Sequence, residues 1–176
     1  MDVTDLSASF AGRVFHIPGL ANRSELSRLA EEALEGPCSR VTLGNTGLSW
    51  EERPVQPDSE LWTTMQQDFV TQLVTQALGT QIRKMMAWTN VYAAGERIPW
   101  HKDSCGDIQL LLVVAASDPE AGGLWLESRA GPRRIPLPPG DAILFTAARI
   151  RHQTSATVAL KEPRITAAMR FFAVAA

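Results

Sequence analysis

The stretch Asn90-Val91-Tyr92-Ala93-Ala94-Gly95-Glu96-Arg97-Ile98-Pro99-Trp100-His101-Lys102-Asp103 decides the reading of this chain. It begins as a β-type segment, Ile82 to Tyr92, breaks at Gly95, and ends on an imidazole and a carboxylate two residues apart. In an extended segment, side chains at i and i+2 point to the same side, so His101 and Asp103 share a face, as do Trp88, Asn90 and Tyr92 upstream. Beyond this stretch the pattern continues as short segments punctuated by Gly, Pro, Asp and Ser. Strands are expected at Ile108 to Ala115, Gly123 to Glu127, Arg134 to Leu137, Ala142 to Phe145, Gln153 to Ala159 and Arg164 to Val174. Many short strands at close spacing indicate a sandwich or barrel, with a jelly roll the natural candidate. Pro136-Leu137-Pro138-Pro139-Gly140-Asp141 is the clearest turn.

Working outward toward the N-terminus, two amphipathic helices precede the strands. One runs from a capping-type Ser24 through Leu34, before Gly36-Pro37. The other starts at Asp58 or Ser59, carries Leu61, Met65, Phe69, Leu73 and Leu78 on one stripe, and stops at Gly79. The expected fold is therefore mainly β with flanking helices: a double-stranded β-helix (a cupin-like jelly roll) over 81–176, with a helical support region at 1–80 packed on the sheet. Together they form one domain over 1–176, as 176 residues at 45% hydrophobic and 20% charged suit a single core.

Composition narrows the function classes. Seventeen basic and nineteen acidic side chains give a net charge of −2, which disfavours a protein that grips nucleic-acid phosphates. The charge is uneven: from Glu127 onward eight basic residues face three acidic ones, so an anion is favoured in the C-terminal third. No apolar run approaches the roughly 20 residues of a membrane span. The acidic start Met1-Asp2-Val3-Thr4-Asp5 lacks the features of a secretory signal, so a cytoplasmic location is expected. Cys38 and Cys105, the only two cysteines, are read as reduced thiols.

Three histidines are available, His16, His101 and His152. In a jelly roll, distant strands lie side by side, so His152, at the start of a strand, could join His101 and Asp103. Two imidazoles and one carboxylate leave three adjacent octahedral positions open, the facial arrangement of non-haem iron sites. Near the C-terminus, Pro163-Arg164-Ile165-Thr166-Ala167-Ala168-Met169-Arg170-Phe171-Phe172 places Arg164, Thr166 and Arg170 at one parity. Two guanidinium groups facing a barrel interior are costly unless an anion is bound there.

Taken together, N-x-Y-x-x-G-x-x-I-x-x-H-x-D at 90–103, the G-D-x-x-x-F segment Gly140 to Phe145 leading to His152, and the two arginines six apart resemble the Fe(II)/2-oxoglutarate-dependent dioxygenases. The spacing is similar to the AlkB-like branch, while Gly122-Gly123-Leu124-Trp125-Leu126 is close to a segment of the prolyl 4-hydroxylase-like branch. The resemblance covers Ala87 to Phe172. It implies Fe(II) on His101, Asp103 and His152, with 2-oxoglutarate and O2 as cosubstrates and succinate and CO2 as products. It implies that Arg164 pairs with the distal carboxylate of 2-oxoglutarate, that Arg170 lies near the carboxylate that chelates iron, and that Asn90 and Tyr92 are the polar residues beside the cosubstrate. Thr166 can add a hydroxyl. With Asp103 in place, hydroxylation, demethylation or desaturation is implied rather than halogenation.

A small-molecule or peptide substrate is favoured over nucleic acid on charge, with an AlkB-type demethylase as the alternative. Candidate substrate contacts are Trp88, Trp100, Trp125 and Arg151, with Arg149 near the same approach. Met85, Met86 and Leu110 to Ala115 read as core. A reading from another class is a cupin-like barrel that binds a metal or small acid without catalysis; the paired arginines favour the oxygenase.

Overall fold

The computed structural model describes residues 2–43, 46–116, 123–156 and 163–174. Two sheets carry the fold. The major sheet has the order β1-β2-β9-β6-β11-β5-β4-β3, and the minor sheet β10-β7-β8. The strands are β1 Thr4–Asp5, β2 Val14–Ile17, β3 Ser39–Thr42, β4 Ser49–Pro54, β5 Ile82–Tyr92, β6 Ile108–Ala115, β7 Leu124–Ser128, β8 Gly131–Ile135, β9 Ala142–Phe145, β10 His152–Thr154 and β11 Arg164–Ala173. Every ladder is antiparallel.

The major sheet is covered on both faces, which explains why β9 and, from Leu110 onward, β6 read as unbroken apolar runs. On one face Leu110, Leu112, Leu144, Ala167, Met169 and Phe171 form a buried cluster that also contains Leu29 and Ala33 of α1 (Leu26–Ala33), Leu61 and Met65 of α2 (Glu60–Met65), and Val70 and Val74 of α3 (Asp68–Leu78). On the other face Leu111, Val113, Ile143, Phe145 and Ala168 meet Leu124, Leu126 and Ile135 of the minor sheet. The alternation is that of β-strands: odd and even positions of β11 serve different clusters, so its register fixes which side chains face the space between the sheets. The pairing Arg164↔Tyr92, Thr166↔Asn90 and Ala168↔Trp88 sets one row after another across β11 and β5.

Several sequence expectations are corrected. Region 1–80 is more than a helical support, because β1 to β4 lie in it: β2 pairs with β9 and β4 with β5, extending the major sheet at both ends. These strands are short and mixed in polarity, so no apolar alternation announces them. The single long helix is two. Gln67, with extended ψ of 144°, separates α2 from α3, and its side chain donates to the Leu20 carbonyl at 3.2 Å. The turn re-aims the helix, so that Val70 and Val74 are the buried pair of α3 while Phe69 and Leu73 pack only partly. Ser59 caps α2 by accepting from the Trp62 N–H at 3.1 Å, an interaction worth about 1 kcal/mol. Ser24 does not cap α1, whose N-cap position is Glu25. The hairpin strand β8 ends at Ile135 rather than Leu137, and the expected strand from Gln153 to Ala159 is β10, His152–Thr154, which has ended before Ser155 and Ala156; residues 157–159 and Gly122 lie outside the described set. Met86 is 40% exposed and not core.

The Gly140-Asp141 turn is set by chemistry. Gly140 has φ of 96°, and a Cβ there would lie 2.7 Å from the Ala21 carbonyl oxygen. Asp141 accepts from the Gly19 N–H at 2.9 Å and pairs with His16 at 2.8 Å. His16 is thereby a structural histidine that ties β2 to this turn, away from the other two. No helix among the described residues is long and apolar enough to cross a membrane.

Candidate metal centre and adjoining cavity

His101 and His152 come together through the backbone. Each donates its N–H to the other's carbonyl, at 3.0 and 2.9 Å, and Ile98 and Thr154 are bonded in the same way at 3.0 Å and through the Thr154 hydroxyl at 2.8 Å. The segment leading into His101 thus zips along β10. Asp103 is fixed next by its N–H to the Ala147 carbonyl, at 3.2 Å. One donor atom from each of His101, Asp103 and His152 lies within 4.8 Å of the others, with imidazole centroids 4.1 Å apart.

The tautomers are set from behind. His101 Nδ1 lies 2.8 Å from the Pro99 carbonyl and His152 Nδ1 lies 3.0 Å from that of Ile150. A carbonyl can only accept, so each Nδ1 carries the proton and each Nε2 keeps its lone pair, the arrangement a metal-binding imidazole needs. Burial, and then the neighbouring charge of His101, push His152 down to about 4, so it is neutral at physiological pH. For His101 burial acts downward, but the Asp103 contact and the Pro99 carbonyl outweigh it and raise the imidazole. Burial acts to raise the Asp103 carboxyl, and the contact with His101 and the charge of Arg170 outweigh it, holding it below the usual range. Asp103 Oδ1 accepts from Arg170 Nη2 at 2.6 Å, while its Oδ2 is buried and has no partner. A +2 cation fits this donor set: two free Nε2 atoms and an unsatisfied carboxylate oxygen.

A cavity of about 400 Å³ opens beside these three residues. Asn90 and Tyr92 of β5 line it, as do Trp88, Trp100, Gln109 and Arg170. Arg164 and Thr166 pair across the ladder with Tyr92 and Asn90. Arg164 is only 3% exposed, and its Nε and Nη1 have no hydrogen-bond partner; the Asn90 Oδ1 is likewise orphaned. Burial depresses the Arg164 guanidinium and pushes the Tyr92 phenol up to about 12, partly offset by nearby Arg164. A buried cation with idle donors is an expensive feature that a bound carboxylate would satisfy.

Arg170 is in a different state. Besides Asp103 it donates to Gln109 Oε1 at 3.1 Å and to Cys105 Sγ at 2.9 Å, and its guanidinium sits 4.8 Å from the Trp88 ring centroid. Gly106, at φ of 78°, lets the chain pass this side chain: a Cβ there would meet Arg170 Cδ at 3.1 Å. The resemblance placed Arg170 beside the cosubstrate; the structure bonds it to the carboxylate of the triad.

Two expected substrate contacts do not reach the cavity. Trp125 alternates with Leu124 and Leu126 on β7, and it is Leu124 that lines the cavity. Arg151 is exposed, 5.8 Å from the Trp100 ring, outside the lining, and Arg149 borders a different cleft. Sequence reading missed Leu43, in the β3–β4 connection, and Trp50 and Glu52 of β4, which line the cavity. Trp50 and Glu52 share parity, a signal available in the sequence but hidden by the helical reading of that region.

No protein-family model matches the chain. No curated protein matches it either. Solved structures do. A prolyl-4-hydroxylase from Pseudomonas putida superposes with a TM-score of 0.73 at 15% identity, covering 92% of this chain and 93% of that one. The epimerase SnoN from nogalamycin biosynthesis, in complex with Fe3+, alpha ketoglutarate and nogalamycin RO, gives 0.76 at 14% identity, covering 91% and 78%. HygX from Streptomyces hygroscopicus, with nickel and 2-oxoglutarate bound, gives 0.73 at 13% identity, covering 92% and 83%. The chain therefore has the double-stranded β-helix fold of these three structures.

Proposed function

We propose that this chain is an Fe(II)- and 2-oxoglutarate-dependent dioxygenase, a single domain over 1–176 that hydroxylates or oxidatively demethylates a small molecule or a peptide side chain. The observation that carries the reading is the pairing of a His-Asp-His donor set with a buried arginine, Arg164, whose Nε and Nη1 have no hydrogen-bond partner and which pairs with no carboxylate among the described residues. His101, Asp103 and His152 would hold the metal. Arg164 would take the distal carboxylate of 2-oxoglutarate, with Thr166, Asn90 and Tyr92 beside it. Bound together with O2, these cofactors supply the oxidising power, releasing succinate and CO2.

The protein's own work is positional. The Pro99 and Ile150 carbonyls keep both Nε2 atoms free. Arg170 anchors one oxygen of Asp103 and leaves the other open. The apolar side chains around the cavity exclude water from the reacting C–H bond. No acid, base or nucleophile from the chain is called for.

The test is an anaerobic titration with Fe(II) and 2-oxoglutarate, following the weak visible charge-transfer band of the chelate in wild type and in His101→Ala. A band in wild type that disappears in the variant is the expected result. Its absence from correctly folded wild type would overturn the oxygenase reading in favour of a cupin-like binding protein.

A further inference from the structure

The wall of the cavity contributed by β4 separates charge by parity. Outward-facing Glu51 is engaged by Arg53 at 3.3 Å and by Arg40 at 3.8 Å. Arg40 also pairs with Glu96, tying this wall to the segment that leads to His101. Inward-facing Glu52 sits across the ladder from Asn90, lines the cavity, and accepts from the Trp50 indole N–H at 2.9 Å. Among the described residues no cation pairs with it. The cationic side chain lining the same cavity, Arg170, is committed to Asp103, Gln109 and Cys105. Asn90 and Tyr92 lie near Glu52, and the apolar and aromatic part of the cavity lining is Leu43, Trp50, Ile98, Trp100 and Leu124.

A carboxylate beside an indole in a cavity with further aromatic walls is the arrangement that recognises an ammonium group, through Coulomb attraction and the electron-rich ring faces. A carboxylate-bearing substrate would be repelled from the same wall. Resting on the oxygenase reading for the location of the reacting centre, we propose that the substrate is an apolar or aromatic small molecule carrying a protonated amine, with Glu52 holding the amine and Trp50 and Leu43 packing on its body. Glu52 and Trp50 are then specificity determinants, separate from the residues assigned to metal and cosubstrate.

The test uses three probes of one shape and three charges: phenethylamine, 2-phenylethanol and phenylacetate. Their binding is measured by calorimetry to the purified protein, alone and loaded with nickel(II) and 2-oxoglutarate. Phenethylamine is expected to bind at least about tenfold more tightly than either of the others. In Glu52→Gln, which keeps an oxygen to accept from the Trp50 indole, that preference should vanish while metal binding persists. Equal binding of the three probes, preference for phenylacetate, no binding of the amine, or an unchanged preference in Glu52→Gln would each overturn the assignment. The charge-transfer titration uses none of these probes. A normal band without amine preference sinks this inference alone, whereas an amine preference lost in Glu52→Gln without any band sinks the oxygenase reading and leaves the amine site standing.

Discussion

The two ends of β11 carry the same side chain in opposite circumstances. Arg164, at its start, is 3% exposed and has two nitrogens without partners. Arg170, near its far end, is 17% exposed by side chain and is held by a carboxylate, an amide oxygen, a thiol and an indole face. Under the proposed function, the satisfied guanidinium of Arg170 would hold the triad in place, and that of Arg164, with Nε and Nη1 unpartnered, would take the cosubstrate carboxylate. One parity on one strand thus carries two arginines whose different partners, on that reading, give them different tasks.

The sharpest way to break this contrast is Arg164→Met. Removing the idle cation should weaken 2-oxoglutarate binding by roughly 3–5 kcal/mol, read from the charge-transfer titration, while thermal stability of the cosubstrate-free protein holds or rises, because an unpaired buried charge is gone. A matching loss of stability would mean that Arg164 is structural after all. Arg170→Met should behave the other way round: about 2–3 kcal/mol of stability lost in denaturant unfolding, since the buried Asp103 carboxylate loses its partner, with a smaller effect on cosubstrate affinity.

The third effect is the smallest and lies between the two arginines, at His152. Its folded value of about 4 is below the ordinary 6.5, so between these pH values the unfolded chain binds a proton that the metal-free folded protein refuses. Stability contributed by neutral His152 is therefore present above pH 6.5 and lost as the pH falls toward about 4. Compared with His152→Gln, the metal-free wild type should lose on the order of 2 kcal/mol over that window in urea unfolding. Parallel pH profiles for the two proteins would show that burial of His152 does not control its protonation.

The central strands were legible in the sequence because of their β-type composition, nearly all apolar in β6 and β9, and the Gly, Pro, Asp and Ser breaks around them. β5, β6 and β9 begin and end where composition placed them, and β11 differs by one residue at its end. Gly and Pro punctuation marked the turn at Gly140, and i, i+2 parity put His101 with Asp103 and Asn90 with Tyr92. Parity could not say what each side chain would touch. The commitment of Arg170 to Asp103 depends on the chain's path past Gly106, a tertiary fact with no local signature. The strands at that end of the sheet escaped for a related reason: the edge strand β3 and its neighbour β4 are mostly solvated or half-buried and carry Arg, Glu and Ser, which a hydrophobic pattern does not reveal. With those strands unread, Trp50 and Glu52 were unread too. Trp125 failed for the opposite reason, since closeness in sequence to a glycine pair says nothing about which face of β7 looks into the cavity.

β11 is hydrogen-bonded on both sides, to β5 and to β6, and its two faces do unlike jobs: one packs under the helices and the other lines the space between the sheets. For the evolution of this chain, that makes length a stricter currency than identity. Replacing a residue in β11 alters one contact, but inserting or deleting one exchanges the faces of all that follow, turning Thr166 and Arg170 toward the helices and Ala167 and Met169 toward the cavity. Substitutions can reshape the cavity wall on β4 one contact at a time, while the spacing from Arg164 to Arg170 has to be kept whole.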